Sequence, residues 1–158
     1  MHAKQQRDIF AQAKAGASFS IVILLDRAFP MLIGAKQKNL DDYNNFKPMI
    51  IHTQHHDMNI GLNAYFRIKK QEEFILHYLV DKQYLNTAIL IDEIAETVRT
   101  TIQEVLYDKP ITSNRIPAEL LTVIKEQLNV VAAEAFWGLE IVRIVEISAD
   151  NEDIQRFN

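Results

Sequence analysis

With 158 residues, 48% of them hydrophobic, the chain is long enough for one domain with a real core, since a domain near this size buries roughly 70% of the surface its unfolded chain exposes. The absence of cysteine excludes disulfides, thiolate catalysis and cysteine-ligated zinc or iron–sulfur centres. The net charge of −4 conceals a split: residues 1–79 carry ten Lys and Arg against seven Asp and Glu, residues 80–158 carry seven against fourteen, and all five histidines fall in the first half.

That asymmetry bears on association, internal or with a partner, and not on fold. Four Gly and four Pro are scant punctuation for a protein of many strands and tight turns, so composition favours helices. Residues 1–8 are polar, and the most apolar run, 19–25, is too short to span a bilayer before Asp26 and Arg27 interrupt it. The expectation is a cytoplasmic protein with no membrane partner.

In chain order, Phe10, Ala13, Ala17, Ile21, Leu24, Ala28 and Met31 continue one face at helical spacing, which predicts a long first helix kinked near Pro30. The competing reading stops that helix at Gly16 and makes 19–25 a buried strand. Residues 34–45 lose the apolar rhythm and read as a loop. Ile60, Leu62, Ala64, Phe66 and Ile68 then alternate with less apolar neighbours, the pattern of a half-buried strand, although a helix can also be drawn through Tyr65, Ile68, Ile75 and Leu79. Residues 71–80 read as helix again.

The strongest periodicity follows. Tyr84, Ala88, Ile91, Ala95, Val98, Ile102 and Val105 are spaced 4, 3, 4, 3, 4, 3, the apolar seam of a helix over three heptads. It ends before Pro110. A connection over 109–116 leads to Pro117, in the first turn of a further helix, and Leu121, Ile124, Leu128, Val131, Ala135, Gly138, Val142 and Val145 give a second seam. Gly138 and the β-branched residues of 139–147 would accept a strand instead. Against a strand, Glu140, Arg143 and Glu146 recur every three residues, which stacks them on one helix face and would scatter them over both faces of a regular strand. The expected fold is therefore mainly α: a single-domain helical bundle over 1–147, built on a long antiparallel helix pair, with an acidic flexible tail over 148–158. The alternative is α+β, with a small sheet from 19–25, 48–53, 60–68 and 139–147.

Chemistry-bearing patterns are few. If the segment around 46–58 is helical, His52 and His56 stand one turn apart, Glu73 and His77 do the same on the next helix, and two facing helices could present three imidazoles and a carboxylate to Zn or Fe. Neither H-E-x-x-H nor E-x-x-H occurs, so the spacing is weaker than the ligand types. Arg67, Lys69 and Lys70, beside Tyr65 and Phe66, form a short basic and aromatic patch of the kind that grips nucleic acid, although three charges in a chain of pI 5.7 are thin support for a duplex binder. There is no G-x-S-x-G elbow and no glycine-rich phosphate loop. The expectation is a non-enzymatic interaction or regulatory module without cofactor (adaptor, inhibitor or assembly subunit) that contacts another protein or copies of itself. A metal-binding His/Glu bundle and a weak nucleic-acid binder are the alternatives.

Overall fold

Over residues 58–68 apolar and polar side chains alternate, and a period of two puts every second side chain on one face of a strand. Met58, Ile60, Leu62, Ala64, Phe66 and Ile68 are all buried, none more than 4% exposed. The computed structural model describes residues 27–34, 49–79 and 85–150. Within them the elements run β1 (Phe29–Gly34), β2 (Met49–His52), β3 (Asp57–Ile68), α1 (Gln71–Tyr78), α2 (Thr87–Leu106), α3 (Ala118–Glu134) and β4 (Leu139–Asp150). β3 is the centre of a four-stranded antiparallel sheet. Its inner face meets the helices, α2 lying against β1 and β2, and α3 against β4 and α2.

β1 and β2 share one edge of β3, end to end. Gly34 pairs with Gly61 and Met49 with Ile60, so the chain leaves the edge after one register position and re-enters at the next. The in–out alternation survives the interruption: Ile33 and Met49 face the core, 1% and 3% exposed, and Ile50 faces out. In effect β1 and β2 are one strand with residues 35–48 inserted. Gly34 has φ +80°, and a Cβ there would lie 2.3 Å from the Ile60 carbonyl oxygen, so the departure point needs glycine.

The helices form by the usual local signals and are oriented by the sheet. Asn86 caps α2, its side chain accepting from the Ile89 N–H at 2.9 Å. Leu90, Ile94, Val98, Ile102 and Leu106 are fully buried, and the buried Thr101 satisfies its hydroxyl on the Thr97 carbonyl at 2.8 Å. α3 buries Ile124, Leu128 and Ala132. It ends in a Schellman arrangement, with Trp137 N–H donating to Ala132 O at 3.0 Å and Phe136 N–H to Ala133 O at 3.2 Å. Among the described residues no helix is long and apolar enough to cross a membrane.

These observations correct the expected helical bundle: the fold is α+β. The second heptad seam stops at the end of α3, and Leu139, Val142 and Val145 belong to β4. Two β-bulges explain the misleading three-residue spacing. Register shifts between Asn63/Ala64 and Tyr65/Phe66 leave Val145 and Val142 unpaired, so Glu140, Arg143 and Glu146 lie opposite Arg67, Tyr65 and Asn63. Each bulge adds one residue, and residues three apart thereby share a face. The first seam is displaced as well. Val98 and Ile102 are in the core, but Ala88, Ile91, Ala95 and Val105 are only half-buried while Leu90 and Ile94 take the deepest places, because a helix lying on a sheet buries a wider stripe than a helix zipped to one partner. Of the alternative sheet, 48–53, 60–68 and 139–147 match β2, β3 and β4, and 19–25 lies outside the described residues. Pro30, placed at a helix kink, sits in β1, an edge strand where a missing N–H is tolerated. β4 runs to Asp150 and buries Ala149, three residues into the expected tail; 151–158 lie outside the described residues, as do 1–26 of the first helix and 35–45 of the loop.

Two outcomes follow. Deleting 35–48 and joining Gly34 to Met49 is expected to keep cooperative melting, with the melting temperature within about 4 °C, since the register of β1 and β2 on β3 runs on across the junction; loss of cooperative melting would mean that β1 and β2 are not one strand. Tyr78 is 1% exposed and its hydroxyl finds no hydrogen-bond partner among the described residues; burial first, and the Glu93 carboxylate second, hold its pKa above the ordinary phenol range. Tyr78→Phe should therefore stabilise the fold by about 1 kcal/mol, a rise of roughly 3 °C by calorimetry.

Candidate functional site

An antiparallel sheet can bind through an edge or a face, and both edges of this one are occupied at identifiable positions. On the β2 side, α2 supplies the partners. His52 N–H donates to Gln103 Oε1 at 2.9 Å, and Arg99 Nη1 donates to the Ile50 carbonyl at 3.3 Å and to Gln103 Oε1 at 3.2 Å. Arg99 is itself held by Glu96, at 2.6 and 3.0 Å. This hydrogen bond and charge hold the Glu96 carboxyl below the usual range, so its contribution is present above the ordinary glutamate pKa and fades as pH falls through the lowered one. Beyond β2, Gln54 N–H donates to Tyr107 O at 2.8 Å, which ties the hairpin tip to the end of α2. On the β4 side, Asn129 of α3 donates to Ile141 O at 3.1 Å and accepts from Ile141 N–H at 2.7 Å. Farther along, Ile116 N–H meets Ile147 O and Ala149 N–H meets Asn114 O, each at 2.9 Å. A strand edge satisfied in this way does not template another strand.

The face turned away from the helices is different. Cross-strand partners point to the same side, so Pro30 and Leu32 of β1, Ile50 and His52 of β2, alternate residues of β3, and Glu140, Arg143 and Glu146 of β4 share it. The β4 side carries a row of charges together with two exposed valines, Val142 and Val145. Arg67 is hydrogen-bonded to Glu140, the Arg143 guanidinium lies 5.1 Å from the Tyr65 ring centroid, and Arg115 is 3.5 Å from Glu146. The β1/β2 side is apolar and wet: Leu32 is 38% exposed and Ile50 45%.

The four candidate metal ligands fall on three separate elements. His52 is in β2, its Nδ1 2.9 Å from Asp57 Oδ1 across the first register pair of the hairpin. His56 is in the four-residue connection, where Thr53 Oγ1 accepts from its N–H at 3.0 Å and donates to its carbonyl at 2.8 Å. Glu73 and His77 are on α1, Glu73 3.7 Å from Lys70 and the His77 ring tilted 55° against that of Tyr78 with centroids 4.5 Å apart. The helix that was to carry His52 and His56 is a strand and a turn, so the two-helix geometry does not exist. Among the described residues no three His, Asp or Glu side chains come together as a metal site.

The three basic residues of the candidate nucleic-acid patch each have a carboxylate within reach. Arg67 and Lys69 both reach Glu140, Lys69 at 3.8 Å, and Lys70 has Glu73. Glu140 was invisible as a partner because it is 73 residues from Arg67. Lys69, Lys70, Glu73, Ala133, Gly138 and Glu140 also line a cleft of about 130 Å³ between α1, the end of α3 and the start of β4, well below the roughly 300 Å³ at which small-molecule pockets begin. Sequence reasoning places the charges but not the exposed Leu32, because the helical face through Ala28 and Met31 runs across β1; Ile50 falls in the segment 46–58, open there to both helix and strand.

No protein-family model and no curated protein sequence matches the chain. The edge-capping geometry itself is testable. Gln103→Ala removes the acceptor of the His52 amide, and the expected result is faster hydrogen exchange at His52 with a loss of about 1 kcal/mol in urea denaturation; unchanged exchange would mean that α2 does not seal this edge.

Proposed function

We propose that this chain is a non-enzymatic interaction module that takes a second protein on the open face of its sheet. The supporting observation is that Leu32 and Ile50 are left 38% and 45% exposed on this face, while on its β4 side Arg67 is paired with Glu140 and Arg115 with Glu146. Apolar side chains standing in water next to a polar rim are the composition of an interface core with its surround. Where α2, α3 and residues 114–116 engage the edges along β2 and β4, the contact falls to side chains and not to an added strand.

A photoreactive amino acid in place of Ile50 tests this in cells. The expected outcome is a covalent adduct with one discrete protein, lost on adding Leu32→Lys while the circular dichroism spectrum is retained. A folded chain that yields no adduct from position 50 would sink the proposal.

One observation favours a second reading, binding of single-stranded nucleic acid: Tyr65 lies on an open sheet face against Arg143, and an aromatic so placed can stack a base. The carboxylates matched to Arg67, Lys69 and Lys70 count against it. Fluorescence titration with single-stranded oligonucleotides separates the two. Micromolar binding that collapses between roughly 50 and 200 mM salt and disappears in Tyr65→Ala would favour nucleic acid; no binding at low salt would leave the protein-binding proposal alone.

A further inference from the structure

Arg143 is a cation of the open face that the chain itself does not pair. Arg67 has Glu140 and Arg115 has Glu146. Among the described residues Arg143 has no carboxylate partner, and its guanidinium lies 5.1 Å from the centroid of the Tyr65 ring. A guanidinium held in one orientation by a ring keeps its fork of donors for a carboxylate from outside.

The register shows where this face carries the complement. Cross-strand partners form rows about 7 Å apart along the strands. Arg143 shares its row with Pro30, the next row begins at Leu32, the third is Gly34, Gly61 and Ser148, and the fourth runs from Ile50 to Asp150. The third row is nearly bare, since two of its members lack side chains and Ser148 Oγ donates to the Gly61 carbonyl at 3.5 Å. Pro30, Leu32, Ile50 and Asp150 are all exposed. In order, the rows offer a cation, an apolar knob, a hole and a carboxylate, a series that fits its own reversal.

A twofold axis in the plane of the sheet, running across the strands between the second and third rows, exchanges the first row with the fourth and the second with the third. Leu32 then lies over Gly34 of the other copy, Ile50 over Pro30 and Arg143 opposite Asp150, each contact made twice. The other in-plane axis, along the strands, would lay Leu32 on Glu146 and Arg143 on Pro30, so charge and shape select the first. Antiparallel sheets stacked face to face about 10 Å apart form a sandwich core. Resting on the sheet-face reading, we propose that the protein taken there is a second copy of this chain, held by Leu32 and Ile50 and by two ion pairs between Arg143 and Asp150.

Light scattering and sedimentation of the full chain over roughly 1–200 μM should show a dimer at the upper end. Arg143→Asp and Asp150→Arg should each weaken association about tenfold or more, because each sets like charges opposite one another twice, with the circular dichroism spectrum retained. Mixing the two variants should restore a heterodimer of wild-type strength, since one ion pair is then native and the other has its charges exchanged. A chain monomeric at every concentration, a dimer indifferent to both substitutions, or a mixture as weak as its parts would overturn the proposal. The photoreactive group at position 50 separates this inference from its premise. In the purified chain it should give a product of twice the chain's mass, joined near Pro30. An adduct in cells with a different protein, and none between copies, would overturn the second copy as occupant and leave the sheet-face proposal standing.

Discussion

The fold depends on β3 being paired along both edges at once. A strand with partners on both sides exposes no backbone of its own, and all of its apolar side chains fall on one face, so β3 commits the molecule to a sheet with one dry side and one wet side. The helices then have a defined task. α2 and α3 cover the dry side, and each also carries polar side chains, Arg99 with Gln103 and Asn129, that reach around the rim to the outer edges. The rim contacts need the same helix to present apolar residues inward and amides sideways. This is why the half-buried positions of α2 are as informative about its placement as the buried ones.

Much of this architecture was legible in the sequence. The alternation over 60–68, the helix at 71–80, the long helix ending before Pro110 and the break over 109–116 all correspond to elements of the structure. What was hidden has specific causes. The end of α3 is marked by Phe136 where a glycine would have announced it, so the apolar spacing seemed to run on through Gly138 into β4. In β4 the two bulges at Val142 and Val145 convert a period of two into a period of three over the charged residues, which is the helical signature by another route. β1 was masked by its proline and by the separation of its continuation, β2, to the far side of an insertion. Periodicity detects regular elements, and each miss falls where the element is irregular.

The candidate site was less legible, for a reason of distance. The pairs that decide the chemistry, Arg67 with Glu140, Arg143 with Tyr65 and Ile50 with Arg99, lie about 50 to 80 residues apart, beyond the reach of any local motif. The histidines illustrate the converse. Their one-turn spacing suggested a shared helix face, but Thr53 folds the chain back between His52 and Asp57 by accepting the N–H groups of His55 and His56. A threonine competing for local backbone groups closes a hairpin where apolar and imidazole spacing alone suggested a helix.

The bulges of β4 also shape what the open face can recognise. Had β4 been regular, Glu140, Arg143 and Glu146 would have alternated between core and solvent, and Arg143 would have been buried without a partner. The two extra residues bring all three to the wet side, where the register sets them beside Arg67, Tyr65 and Asn63. On that side Arg67 and Arg115 each have a carboxylate within reach, Glu140 and Glu146, and Arg143 lies against the Tyr65 ring. Recognition on such a surface falls to shape and to the apolar side chains left uncovered. Leu32, Ile50, Val142 and Val145 are all large apolar side chains of the sheet left exposed, and the proposed partner would gain most by covering groups of this kind.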